Sequence, residues 1–88
     1  MVRRIELEWD NWNLNHIAKH GVSKREVEEA IRDPRAKMRK ISKNRYVLIG
    51  SAWGRILTVF LDFLGKWKYY VVTARDSTER EKRIYKRK

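Results

Sequence analysis

The chain is predicted to be α+β, with an N-terminal strand and two helices, then a 3–4-stranded antiparallel sheet and a C-terminal helix. Three observations point there. Helix-opening signals stand near both ends, at Asp10, at Ser23 with Glu26 and at Thr78 with Glu81. The middle of the chain, from Arg45 to Ala74, is rich in β-branched and aromatic residues. Strands and helices do not alternate as βαβ units, so the helices should pack on one face of a twisted antiparallel sheet.

Arg3 to Glu8 alternates, Ile5 and Leu7 against Arg4, Glu6 and Glu8, and reads as a short half-buried strand. Asp10 caps a helix from about Asn11 to Lys19 or His20, which Gly21 ends. Ser23-Lys-Arg-Glu26 opens a second helix with Val27, Ala30 and Ile31 at helical spacing, and Pro34 stops it. Ala36 to Ile41 is a basic edge strand whose cations discourage edge-to-edge pairing. Arg45 to Ala52 is a strand, Trp53-Gly54 a turn, and Arg55 to Leu64, apolar on both faces, a central strand. After the turn at Leu64-Gly65-Lys66, Trp67 to Ala74 forms the last strand. Thr78 then opens a terminal helix reaching about Arg87, with only Ile84 and Tyr85 to bury.

Eighty-eight residues make one domain, spanning 1–88. An apolar content of 42%, including four tryptophans, four tyrosines and two phenylalanines, allows one modest core. Cysteine is absent, which rules out disulfides and thiolate metal sites. No apolar run approaches the ~20 residues that cross a bilayer. The opening MVRRIELEWD carries acids where a signal peptide is apolar. The expectation is a soluble cytoplasmic protein with no membrane partner.

Twenty-two Lys and Arg against eleven Asp and Glu leave a formal charge of +11, the mark of a polyanion partner. Arg35, Lys37, Arg39, Lys40, Lys43 and Arg45 follow one another with no acid between them, and with Arg55 they are the candidate RNA-binding cations. Six more lie between Arg80 and Lys88, where the last three residues read as a frayed tail.

The stretch WDNWNLNHIAKHGVS, residues 9–23, holds both histidines of the chain. His16 and His20 are four apart and share a helix face, with Lys19 beside the second. Imidazole moves protons near neutral pH, and an adjacent ammonium can hold a phosphate. Two readings stand for Lys19 and His20: proton transfer to RNA, or capping of the last helical carbonyls. Zinc at His16 and His20 is rejected, because no glutamate of an H-E-x-x-H pattern lies between them and no third ligand is evident. Arg75, at a strand end before a helix, either clamps a phosphate or pairs with Asp76 or Glu79. Glu81 serves as cap or base, and Tyr85, four residues on, stacks on a base or packs on the sheet. Trp53 is the aromatic most open to a stacking role, since it sits in a turn.

No carboxylate pair suits a magnesium nuclease and no glycine loop would cradle phosphate, so no metal and no cofactor is expected. A nuclease built this way would use the ribose 2′-OH against its own phosphodiester, with a base, an acid and cations for the developing charge.

These motifs together resemble the BrnT toxin family. WD, an asparagine-rich helix and Lys19-His20-Gly21-Val22 match its opening; Arg45 to Gly50 matches its arginine-to-glycine strand; Ala74-Arg75 followed by Thr78, Glu81 and Tyr85 matches its close. The resemblance implies a RelE-like endoribonuclease toxin of a type II toxin-antitoxin pair, cutting RNA and silenced by a DNA-binding antitoxin, with which it could form a dimer or heterotetramer. It implies catalytic roles for Lys19, His20, Arg75, Glu81 and Tyr85, while Trp9, Asp10 and Gly21 shape the site. The rival is a non-catalytic basic module that binds nucleic acid or antitoxin without cleavage.

Overall fold

A computed structural model describes residues 5–87 and orders them as β1 (Glu6–Glu8), α1 (Asn11–Ala18), α2 (Lys24–Arg32), β2 (Lys37–Lys40), β3 (Arg45–Ala52), β4 (Arg55–Gly65), β5 (Lys68–Asp76) and α3 (Glu79–Lys86). Arg3 and Arg4 of the expected first strand lie outside the described residues. The α+β expectation holds, and every expected element is present.

All three helices begin on a reciprocal capping box. Asp10 pairs with Asn13, Ser23 with Glu26 and Thr78 with Glu81, each side chain bonding the other's backbone N–H. The end of α1 is set by Gly21, whose φ of +72° is open to glycine but strained for other residues. Val22 then folds back so that its N–H reaches the Ile17 carbonyl.

The five strands form one sheet in the order β1-β5-β4-β3-β2. β4 is central, as its two apolar faces predict. Strands β2 to β5 are antiparallel, whereas β1 lies parallel to β5, so the N-terminal strand extends the same sheet. That parallel pairing is possible because α1, α2 and the β2–β4 meander intervene between the two strands.

Alternation sorts the side chains into two layers. Leu48, Ala52, Leu57, Val59, Leu61, Val71 and Ala74 face α1 and α2 and form the core with Ile17, Val22, Val27, Ala30 and Ile31. Gly50 lies where α2 crosses the sheet. A Cβ there would stand 2.3 Å from the Ala30 carbonyl oxygen, so the helix can seat this low only over a glycine.

The opposite face carries the cross-strand row Lys37, Ile49, Thr58 and Arg75. α3 lies over this row. Glu81 bonds both Thr58 and Arg75, and the Lys37 ammonium donates to the Ile84 and Arg87 carbonyls. The helices therefore cover both faces rather than the single face expected. The reason is the odd position of Arg75 on β5: its partners bring α3 to the side away from Ala74 and the core.

Candidate functional site

Arg75 emerges from the penultimate residue of β5 and meets Glu81 from the first turn of α3. Its Nη1 and Nη2 donate to the two carboxylate oxygens at 2.8 and 2.9 Å, and Nη1 also donates to the Asp76 carbonyl. The fork-on-fork pairing leaves the Nε–H and one Nη2–H of Arg75 without an acceptor among the described residues. The guanidinium also lies 5.7 Å from the centre of the Phe60 ring.

Glu81 is the hub of this cluster. It accepts from Arg75, from the Thr78 N–H at 2.8 Å and from the Thr58 hydroxyl at 2.9 Å. Thr58 is fully buried and, since its one hydroxyl hydrogen goes to Glu81, it accepts from Ser77 at 2.7 Å. The Arg75 guanidinium, more than any other neighbour, lowers the Glu81 carboxyl to about 2; burial opposes this, and Thr78 and Thr58 assist. A carboxylate held that low is ionised at every physiological pH and is a weak base. Its geometry suits orienting Arg75.

Tyr85, one turn further along α3, turns away from this pair and donates its hydroxyl to Asp33, the C-cap of α2. Asp33 also receives the N–H groups of Arg35 and Ser51. Burial pushes the Asp33 carboxyl up, but Tyr85 and the two backbone donors outweigh it and hold the group below its ordinary value. Tyr85 shifts upward, through burial first and then Asp33. Tyr85 thus ties α3 to the end of α2.

Lys19 and His20 lie on the other layer, at the exposed C-terminal end of α1. Lys19 is the C-cap. Neither side chain has a hydrogen bond or ion pair with Arg75, Glu81 or Tyr85 among the described residues. His20 meets His16 edge to face at 5.6 Å, and His16 stacks flat on Trp12 at 4.8 Å.

Arg55 connects the two groups. Its Nη1 donates to the Gly21 carbonyl and to Glu26, both at 2.9 Å, and its Nε and Nη2 grip Asp76 at 2.7 and 3.2 Å. One arginine thus joins the residue after His20 to the residue after Arg75. Asp76 first, then Glu26, raise the guanidinium pKa further. Arg55 was expected on the RNA backbone, yet four of its five N–H donors serve the scaffold.

Other expected cations divide the same way. Arg45 pairs with Asp62 at 2.6 and 3.0 Å, and Lys37 is bound to the end of α3. The side chains of Arg35, Arg39, Lys40 and Lys43 are exposed and carry no ion pair among the described residues. Trp53 is 65% exposed in its turn. Trp9 donates from its indole nitrogen to Glu28, and Asp10 accepts from Tyr70 as well as capping α1. Among the described residues no three His, Asp or Glu side chains converge as metal ligands.

Thr58 and Asp33 are partners that the sequence alone does not name, and Asp76, expected as a partner of Arg75, pairs with Arg55 instead, while Arg75 takes Glu81. Thr58 had a visible signal, a hydroxyl at the centre of the apolar run RILTVFLDFL. A polar residue on a central strand needs a partner, and that partner comes from α3. The bonds of Asp33 to Ser51 and Tyr85, and of Asp76 to Arg55, have no local signal, because those partners are distant in sequence.

The family model described as the ribonuclease toxin BrnT of type II toxin-antitoxin systems matches residues 9–81. Its span runs from the tryptophan before α1 to the glutamate that grips Arg75. The fold is similar to the crystal structure of the Brucella abortus ribonuclease toxin BrnT, with a TM-score of 0.67 and 24% identity over 86% of this chain and all of that one. No curated protein sequence matches the chain. With the family model covering both clusters and the strands between them, the chain belongs to the BrnT family of ribonuclease toxins of type II toxin-antitoxin systems.

Proposed function

We propose that this chain is a metal-independent endoribonuclease acting in the cytoplasm, silenced by a DNA-binding antitoxin with which it forms a dimer or heterotetramer. One observation carries the reading. Lys19 and His20, exposed and without an ion pair among the described residues, and the Glu81-held Arg75 lie at the two ends of a single connection through Gly21, Arg55 and Asp76. That edge holds a proton-transfer group at one end and a phosphate-binding cation at the other.

In the reaction the 2′-hydroxyl oxygen attacks the adjacent phosphorus and loses its proton. The bond to the 5′-oxygen breaks, that oxygen takes up a proton, and a 2′,3′-cyclic phosphate remains. His20 is the group suited to the proton transfers. Arg75 has its Nε–H and one Nη2–H left for a phosphate oxygen, and Lys19 adds a second cation against the charge of the phosphorane. Glu81 is a positioning residue that fixes the plane of Arg75. Tyr85 contributes by holding α3, and with it Glu81, in place. The exposed Arg35, Arg39, Lys40 and Lys43 track the RNA backbone. Among the described residues no three His, Asp or Glu side chains group as metal ligands, and charge stabilisation falls to Arg75 and Lys19.

Purified protein incubated with labelled RNA, with and without EDTA, tests this beside His20→Ala and Arg75→Ala. The expected result is EDTA-resistant cleavage that falls at least 100-fold in each folded variant, the lower range for loss of a positioned acid or base being about 10². RNA bound but uncut by the parent would favour the binding module instead. Cleavage that EDTA stops would overturn the metal-independent mechanism.

A further inference from the structure

The solvent face of α1 ends in Lys19 and His20, but neither the core nor the proposed chemistry explains Asn11, Trp12, Asn15 and His16 on it. The helix buries only Asn13 and Ile17. Trp12 stays 58% exposed, yet its indole is held by a parallel stack on His16, with centroids 4.8 Å apart and planes 7° from parallel. His20 continues the row one turn on. Beside it runs a second i+4 row of exposed polar side chains, Asn11, Asn15 and Lys19. None of these three side chains is bonded to another described residue. No acid occurs from Asn11 to His20, and Asp10 is occupied by Asn13 and Tyr70.

We propose that this face of α1 is a stacking platform for an unpaired RNA base. The base lies on the free face of the Trp12 indole, and the Asn11 and Asn15 amides meet its edge or its ribose. The neighbouring phosphate lies at Lys19, within the reach of His20. The inference rests on the ribonuclease reading above and adds the form of substrate that it takes: single-stranded at the cleavage point, with a base turned out of its stack.

The physical case is pre-organisation. An exposed tryptophan on a flexible surface must be ordered when it binds, whereas Trp12 is already held flat by His16. Every base has a π-face, so such a platform tolerates sequence while excluding bases buried in a duplex. The chemistry asks for the same condition, because in-line attack by the 2′-hydroxyl requires a strand free to leave helical geometry. Trp53 and Trp67 are as exposed as Trp12, but they sit at hairpin turns with no ring partner among the described residues. They provide matched controls.

The test uses a 2′-O-methylated single-stranded RNA oligonucleotide, which cannot undergo 2′-OH attack, and reads tryptophan fluorescence and affinity in parallel. Trp12→Leu should bind about tenfold more weakly and lose most of the quenching, in line with the stacking contribution of one base. Trp12→Phe should restore most of the affinity. Trp53→Leu and Trp67→Leu should bind and quench like the parent. The corresponding duplex should quench little. Unchanged binding or quenching in Trp12→Leu, in a variant with parental circular dichroism, overturns the platform. So does an effect confined to antitoxin binding, which would make the face a protein-docking surface. An unmodified oligonucleotide separates this from the parent reading. If the parent leaves it uncut while Trp12-dependent binding persists, the ribonuclease reading fails and the platform stands. If Trp12→Leu cuts as fast as the parent and binds as tightly, the platform fails and the ribonuclease stands.

Discussion

At the scale of single residues, charge pairing separates scaffold from surface. Arg45, Arg55 and Lys37 look in sequence like Arg39, Lys40 and Lys43, yet the first three are bound to acids or carbonyls of the fold. Glu81 is the acid whose pairing has a measurable signature. Its carboxyl is lowered from 4.5 to about 2, first by the Arg75 guanidinium. A group with a depressed folded pKa stabilises the protein above its unfolded value, and the contribution is lost as pH falls toward the folded one. Glu81→Gln keeps the cap but removes the charge. It should cost about 1–2 kcal/mol at neutral pH, and the difference from the parent should fall to about half near pH 3. Urea denaturation at pH 7 and pH 3 reads this directly. A gap of equal size at both would mean that the loss does not come from the charge of Glu81.

At the scale of elements, two contacts place the helices. On one face α2 rests on Gly50, with no room for a side chain below the Ala30 carbonyl. Gly50→Ala must push backbone away from backbone, and such overpacking costs about 1–3 kcal/mol. Differential scanning calorimetry should show Tm falling by roughly 10 °C. A fall of only a degree or two would show that α2 can lift without loss. On the other face α3 has no buried residue. It is held by polar bonds: Glu81 to Arg75 and Thr58, Tyr85 to Asp33, and Lys37 to the last carbonyls. The capping boxes and strand alternation that define these elements are local patterns: the boxes at Ser23 and Thr78 are legible in the chain, and at Asp10 the cap is legible but its reciprocal partner Asn13 is not. The seat of α3 was not. Its few apolar residues show that it buries little, but the face it covers depends on Thr58, Arg75 and Asp33, up to some fifty residues away.

Across the whole molecule, a formal charge of +11 on 88 residues predicts binding dominated by phosphate contacts. On the proposed reading these contacts fall to cations such as Arg39, Lys40 and Lys43, which carry no ion pair among the described residues. Each phosphate contact with a single strand contributes about 0.7 to the slope of log affinity against log salt. Replacing Arg39, Lys40 and Lys43 together by Gln should therefore reduce that slope by about 2 for an uncleavable single-stranded RNA. Fluorescence titration across a salt series checks it, and an unchanged slope would take the segment out of the RNA path.

Element types, caps, charge surplus and the family's motifs were already settled along the chain, because each depends on residues within a turn or two of one another. The grouping of the candidate site was settled only by folding. Lys19 and His20 stand at the end of α1, which packs on the core side through Ile17, whereas strand alternation turns Arg75 to the face under α3, and Arg55 joins the two. Glu81 reads as cap or base; its contact with Arg75 first, then those with Thr78 and Thr58, lower its basicity, and this supports the proposed positioning role. A side chain's type is a local property, whereas its pKa, its partners and its freedom to meet a ligand are set by whatever the rest of the chain brings beside it.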